Sequence, residues 1–187
     1  MAAPFERARS EHSFAHLPSR NSRSATLEVA SAIVYADRER MIEDALSVET
    51  YAMSLGASTV SPSLGARTKL GVHLAGAYAG DERAFLEQVY DLIGAGVNTA
   101  ESVPAALAIA YYAFDVKKCA LLCANLGGDT DTIGAMATAI CGAATGADGI
   151  PADYRETILR ANKVDLLPYA EAILKNRGNV KAGDLRF

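Results

Sequence analysis

The sequence predicts an all-α domain, and three observations carry that expectation. Apolar residues recur at three- and four-residue spacing along most of the chain. No stretch of any length alternates apolar and polar with the two-residue period of a strand. The periodic segments are punctuated by Asp, Ser or Thr ahead of them and Gly behind, which are the residues that start and stop helices. The absence of Trp and the abundance of Ala suit closely packed helices.

Residues 1–23 are polar, mix Arg7, Arg9, Arg20 and Arg23 with Glu6 and Glu11, and have no apolar core of a signal peptide. They are expected to form a flexible leader, with the domain over 24–187. His12 and His16 fall in that leader and receive no role. Ser24 or Thr26 caps a first helix with Leu27, Ala30, Ile33 and Val34 on its apolar side. Asp37 caps a second, with Met41, Ile42, Ala45, Leu46 and Val48 at helical spacing and Gly56 as its stop. Residues 57–66 read as loop by composition, with Thr59, Ser61 and Ser63 as plain loop polar groups.

Two more helices are expected over 67–79 and 82–93, separated by Gly80 and capped by Asp81. His73, among Val72, Leu74 and Ala75, is a packed or surface histidine. Gly94–Asn98 breaks the pattern. Thr99 caps the next helix, whose regular part begins near Ser102 because Pro104 suits a first turn. Glu101 is either a capping acid or a group that orients a metal-bound water. Residues 105–114 and 116–124 continue as apolar helices on either side of Asp115.

The stretch Asn125-Leu-Gly-Gly-Asp-Thr-Asp-Thr-Ile-Gly134 is the most informative in the chain. Asp129 and Asp131, two apart, would be separated by roughly 200° on a helix. Gly127 and Gly128 allow a sharp turn just before them. Asp129 in the turn and Asp131–Thr132 at the helix start let the side-chain oxygens converge. Such a set of oxygens, with no His or Cys beside it, suits a hard cation, Mg²⁺ before Mn²⁺ or Ca²⁺. The same residues also suit a plain helix N-cap. A calcium-binding EF-hand loop is excluded, since Ile133 and Ile140 stand where it needs oxygen ligands. A phosphate cradle is disfavoured, since two carboxylates repel an anion.

Beyond the turn, Gly134, Thr138, Gly142 and Gly146 recur every fourth residue, a stripe that lets a neighbouring helix come close. Interior glycines cost ~1 kcal/mol each relative to Ala, so this helix is expected at the centre of the domain. Asp148–Pro151 ends it. Asp153 starts a helix with Tyr154, Ile158 and Leu159 that stops near Asn162. Asp165 precedes the last, with Leu166, Leu167, Ala170, Ile173 and Leu174 on one side, and 180–187 is loose.

The Asn125–Met136 stretch, with Cys141-Gly-Ala-Ala-Thr-Gly146, Ile150-Pro151 and Glu101-Ser-Val-Pro-Ala-Ala-Leu107, resembles the C-terminal signature of the ADP-ribosylglycohydrolase (DraG-like) family. Asn162, Asp165 and Leu166 add to the likeness, which runs from about Ala25 to the end. The resemblance implies a compact all-α orthogonal bundle around two Mg²⁺ or Mn²⁺ ions that hydrolyses a glycosidic bond at ribose C1. By it, Asp129, Asp131 and Thr132 are metal ligands, and the general base is Asp131 or an acid elsewhere. The substrate is an ADP-ribosyl or related ribosyl group, and the wording around the motif hints at nucleoside breakdown. Full-length members are about double this length and carry a second acidic motif in their N-terminal half. No such run precedes Gly128 here, so the chain reads as the C-terminal half only. Either a missing half or a partner chain completes the site, or the chain is a non-catalytic remnant or binding subunit. A half-bundle exposes core surface, which predicts a partner chain or self-association.

At 187 residues, one domain is expected. A net charge of −4 argues against a nucleic-acid partner or an anionic membrane surface. No apolar run is long enough to span a bilayer. Cys119, Cys123 and Cys141, an odd number in helical contexts, read as reduced packing thiols of a cytoplasmic protein rather than zinc ligands.

Overall fold

The structure, a computed structural model, describes residues 37–47, 49 and 61–176. The expected leader, the helix expected from Ser24, the Gly56 stop, Val48 and the tail over 180–187 lie outside the described residues. Among the described residues there are eight α-helices and no strand. The chain divides into two compact units, one ending at Gly149 and one beginning at Ile150.

In the first unit, α1 is Arg38–Ser47, α2 Leu64–Ala77, α3 Glu82–Gln88, α4 Thr99–Ala113, α5 Val116–Leu126 and α6 Thr130–Thr145. The caps follow the local sequence. Asp37, Asp81 and Asp115 accept hydrogen bonds from the backbone N–H groups of Arg40, Ala84 and Lys118. Each satisfies a donor that has no partner inside its own helix.

α4 is the central helix. It packs against α1, α2, α5 and α6, and every residue from Ser102 to Ala110 is buried. Its alanines allow burial on all sides without bulk. The glycine-striped α6 was expected in that place, but it buries only Ile133, Ala137, Ile140 and Cys141. A Cβ at Gly134 would sit 3.5 Å from the Cβ of Cys123, and one at Gly142 4.0 Å from Val116, so the stripe makes ordinary contact with α5. The close approach lies elsewhere, at Gly71 of α2. A Cβ there would come within 2.6 Å of the Ala108 Cβ on α4 and 3.2 Å of Ile93.

Pro104 sits inside α4 rather than in its first turn, because the helix starts at Thr99 with Asn98 as its cap. Asn98 Oδ1 accepts from the Ala100 N–H at 2.9 Å. Proline has no N–H to give the carbonyl four residues back, which is that of Ala100. Arg67 of α2 supplies the donor instead, its Nη1 lying 2.8 Å from the Ala100 oxygen. At the other end of α4, Arg38 donates to the Tyr111 carbonyl at 3.3 Å and lies over the rings of Tyr111 and Phe114. A cation there suits the negative end of the helix dipole.

Two other expectations are corrected. Residues 64–66, read as loop, are the first turn of α2, because Ser63 accepts from Ala66 N–H and Glu49 from Gly65 N–H. The helix expected over 82–93 is α-helical only to Gln88 and continues as one π turn, Val89–Ile93, closed by Gly94 N–H to Val89 carbonyl at 3.1 Å. That turn buries Val89 and Ile93 and exposes Tyr90 and Leu92.

The second unit contains α7, Ala152–Asn162, and α8, Leu167–Asn176. Pro151 rather than Asp153 precedes the first residue of α7, and Lys163 ends it in the left-handed region at φ 55°. Asp165 Oδ1 accepts from Leu167 N–H at 3.0 Å at the start of α8. Ile158, Leu159, Leu166, Leu167 and Tyr169 of this unit are exposed. No helix of the described residues is long and apolar enough to cross a membrane.

Alanine in place of glycine inside a helix usually stabilises by ~1 kcal/mol. Gly71→Ala is predicted to do the opposite, lowering stability by about 1–3 kcal/mol through overpacking against Ala108. Urea denaturation of the two proteins measures the difference, and an equal or higher midpoint for the variant contradicts the packing at this crossing.

Candidate metal centre

α5 runs in at Val116 and ends at Leu126, and α6 begins four residues later at Thr130. Gly127 and Gly128, at φ 86° and 70°, make the reversal between them. A Cβ on Gly128 would drive into the carbonyl oxygen of Ala95, so glycine is required there for space as well as for backbone conformation. Immediately afterwards, Asp129 N–H donates to that same Ala95 carbonyl at 2.7 Å. The turn is thus docked on the loop between the π turn and α4.

Asp129 stands at the N-cap position of α6, yet its side chain makes no capping hydrogen bond to the backbone. Its Oδ1 accepts instead from the Thr132 hydroxyl at 3.0 Å. Asp131 lies in the first turn of α6 and is exposed, as is Thr132. Hydrogen bonding with the Asp129 carboxyl, and then with the backbone amides of Thr132 and Asp131 itself, holds the Asp131 carboxyl below the usual carboxylate range. The three side chains singled out from the sequence therefore meet on one side of the turn. Two carboxyls and a hydroxyl form an all-oxygen set of the kind Mg²⁺ or Mn²⁺ accepts. They do not fill a coordination sphere. Among the described residues, no group of three or more His, Cys, Asp or Glu side chains is placed to hold a metal.

The surroundings contain residues that the sequence did not single out. Ala95, 5% exposed, offers only its backbone carbonyl, so no side-chain pattern could mark it. Tyr90 is half exposed beside Gly127 and, with Asp91, Arg83, Asn125 and Leu126, lines a groove of about 600 Å³. It stands in the π turn, and π turns often occur at functional sites. Glu101, half buried, accepts from Gly96 N–H at 2.9 Å, an amide ahead of the Asn98 cap.

Cys119, Cys123 and Cys141 are free and buried in the α5–α6 contact, as packing thiols. Hydrogen bonding to Cys123 and Cys141, together with burial, pushes the Cys119 thiol up, away from reactive thiolate.

This chain belongs to the ADP-ribosylglycohydrolase family, whose model matches residues 2–182. It is 40% identical over 172 residues to a protein of Escherichia coli, the uncharacterized protein YegU. That match covers 86% of this chain and 51% of YegU, so the chain spans about half the length of the curated relative it matches. The all-α bundle of the described residues agrees with the family's fold.

The lowered pKa of Asp131 has a checkable sign. A carboxyl whose folded value lies below its unfolded value contributes stability above the unfolded value and loses it as pH falls through the folded one. Carboxyl-detected NMR is predicted to give Asp131 a midpoint below that of an ordinary aspartate. Asp129→Ala, which removes the neighbouring carboxyl that lowers it most, moves the midpoint up. A midpoint that does not respond to Asp129→Ala contradicts the contact between the two carboxyls.

Proposed function

We propose that this chain supplies one half of a divalent-metal site that hydrolyses a ribosyl glycosidic bond, with further acids coming from another stretch of protein or from a partner chain. One observation carries the reading. The Asp129 carboxylate occupies the capping position and does not cap, so its oxygens are not spent on backbone amides. A helix cap alone gives no reason for that.

Asp129, Asp131 and Thr132 are the residues that would hold the ion, with Mg²⁺ preferred over Mn²⁺ and a second ion sharing the site in the complete protein. A divalent ion bound there supplies a water of lowered pKa and an anchor for vicinal hydroxyls. The chain's own part is to hold the oxygens of Asp129, Asp131 and Thr132 together at the entrance of α6, with the Asp131 carboxyl below the usual carboxylate range. Asp131 serves as a ligand and is one candidate for the general base; an acid outside this chain is the other. The substrate class is an ADP-ribosyl or related nucleoside-type ribosyl group, supported by the family to which the chain belongs. The three buried free thiols suit a reducing compartment, in keeping with a cytoplasmic protein.

A non-catalytic binding subunit of the same fold is the second reading, favoured by a donor set that stops at two carboxyls among the described residues. Calorimetric titration with Mn²⁺ separates both readings from a plain cap. The 187-residue chain is predicted to bind the ion, and Asp131→Asn to weaken binding by at least about tenfold. Equal binding by the two proteins would return the motif to capping alone. The isolated chain is further predicted to show little or no turnover of an ADP-ribosylated substrate. Robust turnover by it contradicts the half-site.

A further inference from the structure

We propose that Glu101 is the positioning residue of the Gly127–Thr132 turn, acting through the loop 94–96 that its carboxylate ties down. The consequence for metal binding rests on the reading of the site given above; the mechanical link does not.

Glu101 is the third residue of α4. An acid at that position ordinarily reaches back to the backbone amide of the N-cap residue. Here it reaches past Asn98 and takes the Gly96 N–H, with Oε2 at 2.9 Å. It therefore closes a loop ahead of the helix. The loop is shaped around the carboxylate on both sides. A Cβ at Gly94 would lie 2.6 Å from Oε2, and one at Gly96 2.8 Å from it. Gly94 also holds φ 93°, where a side chain is strained.

Between those two glycines sits Ala95, buried, with its carbonyl turned to the other segment. That carbonyl takes the Asp129 N–H at 2.7 Å and blocks any Cβ at Gly128. The path is short: Glu101 carboxylate, Gly96 amide, Ala95 carbonyl, Asp129 amide. It joins the N-terminal end of the central helix to the entrance of α6 and fixes the backbone on which Asp129 and Asp131 are mounted. Glu101, fixed on the first turn of the central helix, is the firm end of the path. Without it, Gly96 N–H is left half buried and unpaired, and the loop is free to move away from Asp129.

Amide hydrogen exchange in the full 187-residue chain tests the link without any metal. Glu101→Ala is expected to speed exchange at Asp129 by about tenfold or more, while core amides of α2 keep their rates. Glu101→Gln keeps an acceptor oxygen of the same reach and is expected to leave Asp129 close to wild type. Glu101→Asp keeps the charge at the helix N-terminus but is one methylene too short, and is expected to behave like the alanine variant. It replaces the alanine variant should that one fail to fold. Unchanged protection of Asp129 in the alanine and aspartate variants overturns the proposal, since a helix cap alone predicts that result. Mn²⁺ titration of the same proteins is the second readout, with affinity falling about 10–100-fold in the aspartate variant and little in the glutamine variant. Wild type that takes no Mn²⁺ while the exchange pattern holds ends the metal reading and leaves the positioning link standing. Wild type that binds Mn²⁺ with no effect of either substitution ends the positioning link and leaves the metal reading.

Discussion

The hydrogen bond from Asp129 N–H to the Ala95 carbonyl, 2.7 Å long, is the constraint on which the site depends. It joins two segments that are 34 residues apart in sequence, the loop before α4 and the turn before α6. The bond requires glycine at 128, because any side chain there would collide with the same carbonyl. The Asp129 side chain at this N-cap makes no capping bond to the backbone. An N-cap aspartate commonly spends its carboxylate on the amides of the next turn. Here the Asp129 carboxylate is engaged by Thr132 and Asp131 instead.

The loop that carries the Ala95 carbonyl leads into α4, the most buried helix of the first unit. α4 is buried along its length and is gripped at both ends by arginines, Arg67 on the Ala100 carbonyl and Arg38 on the Tyr111 carbonyl. The first of these repairs the gap left by Pro104. A proline inside the central helix is therefore not a defect of the design; its missing donor is supplied by a neighbour that also ties α2 to α4. The Gly71 crossing brings those two helices closer than any larger residue would allow. With α4 fixed, the loop ahead of it and the π turn that feeds the loop have a firm base.

Much of this was legible in the sequence wherever the physics is local. The caps at Asp37 and Asp81 each bond to an amide three residues on, so a short window contains both partners; Asp115, read only as a break between two helices, caps in the same way. The Gly-Gly pair before two acids marked the sharp turn and the side-chain convergence for the same reason. Interactions with distant partners left no such mark. Arg67 gave no sign that it would serve Ala100, 33 residues away. Ser63 caps an amide only three residues on, but it read as loop because it sits in a run of Ser, Thr, Pro and Gly, and Glu49, which supports the same helix start, lies 14 residues upstream. The choice of central helix failed because small residues in a stripe signal possible close packing, whereas α4 is buried through contacts on all its faces. The π turn was invisible because its apolar spacing differs little from that of an ordinary helix. Glu101 was legible as an acid at a helix start, but not as the anchor of a loop that holds another helix entrance.

The central claim is that the docked turn presents Asp129, Asp131 and Thr132 outward to a divalent cation. A crystal of this chain soaked in Mn²⁺ and recorded at a wavelength where manganese scatters anomalously tests it most directly. The account predicts an anomalous peak at the α6 entrance, within about 2.2 Å of oxygens from those three side chains. A saturating soak that leaves no peak there, with the Asp129 carboxylate turned onto the backbone amides of α6, would contradict it.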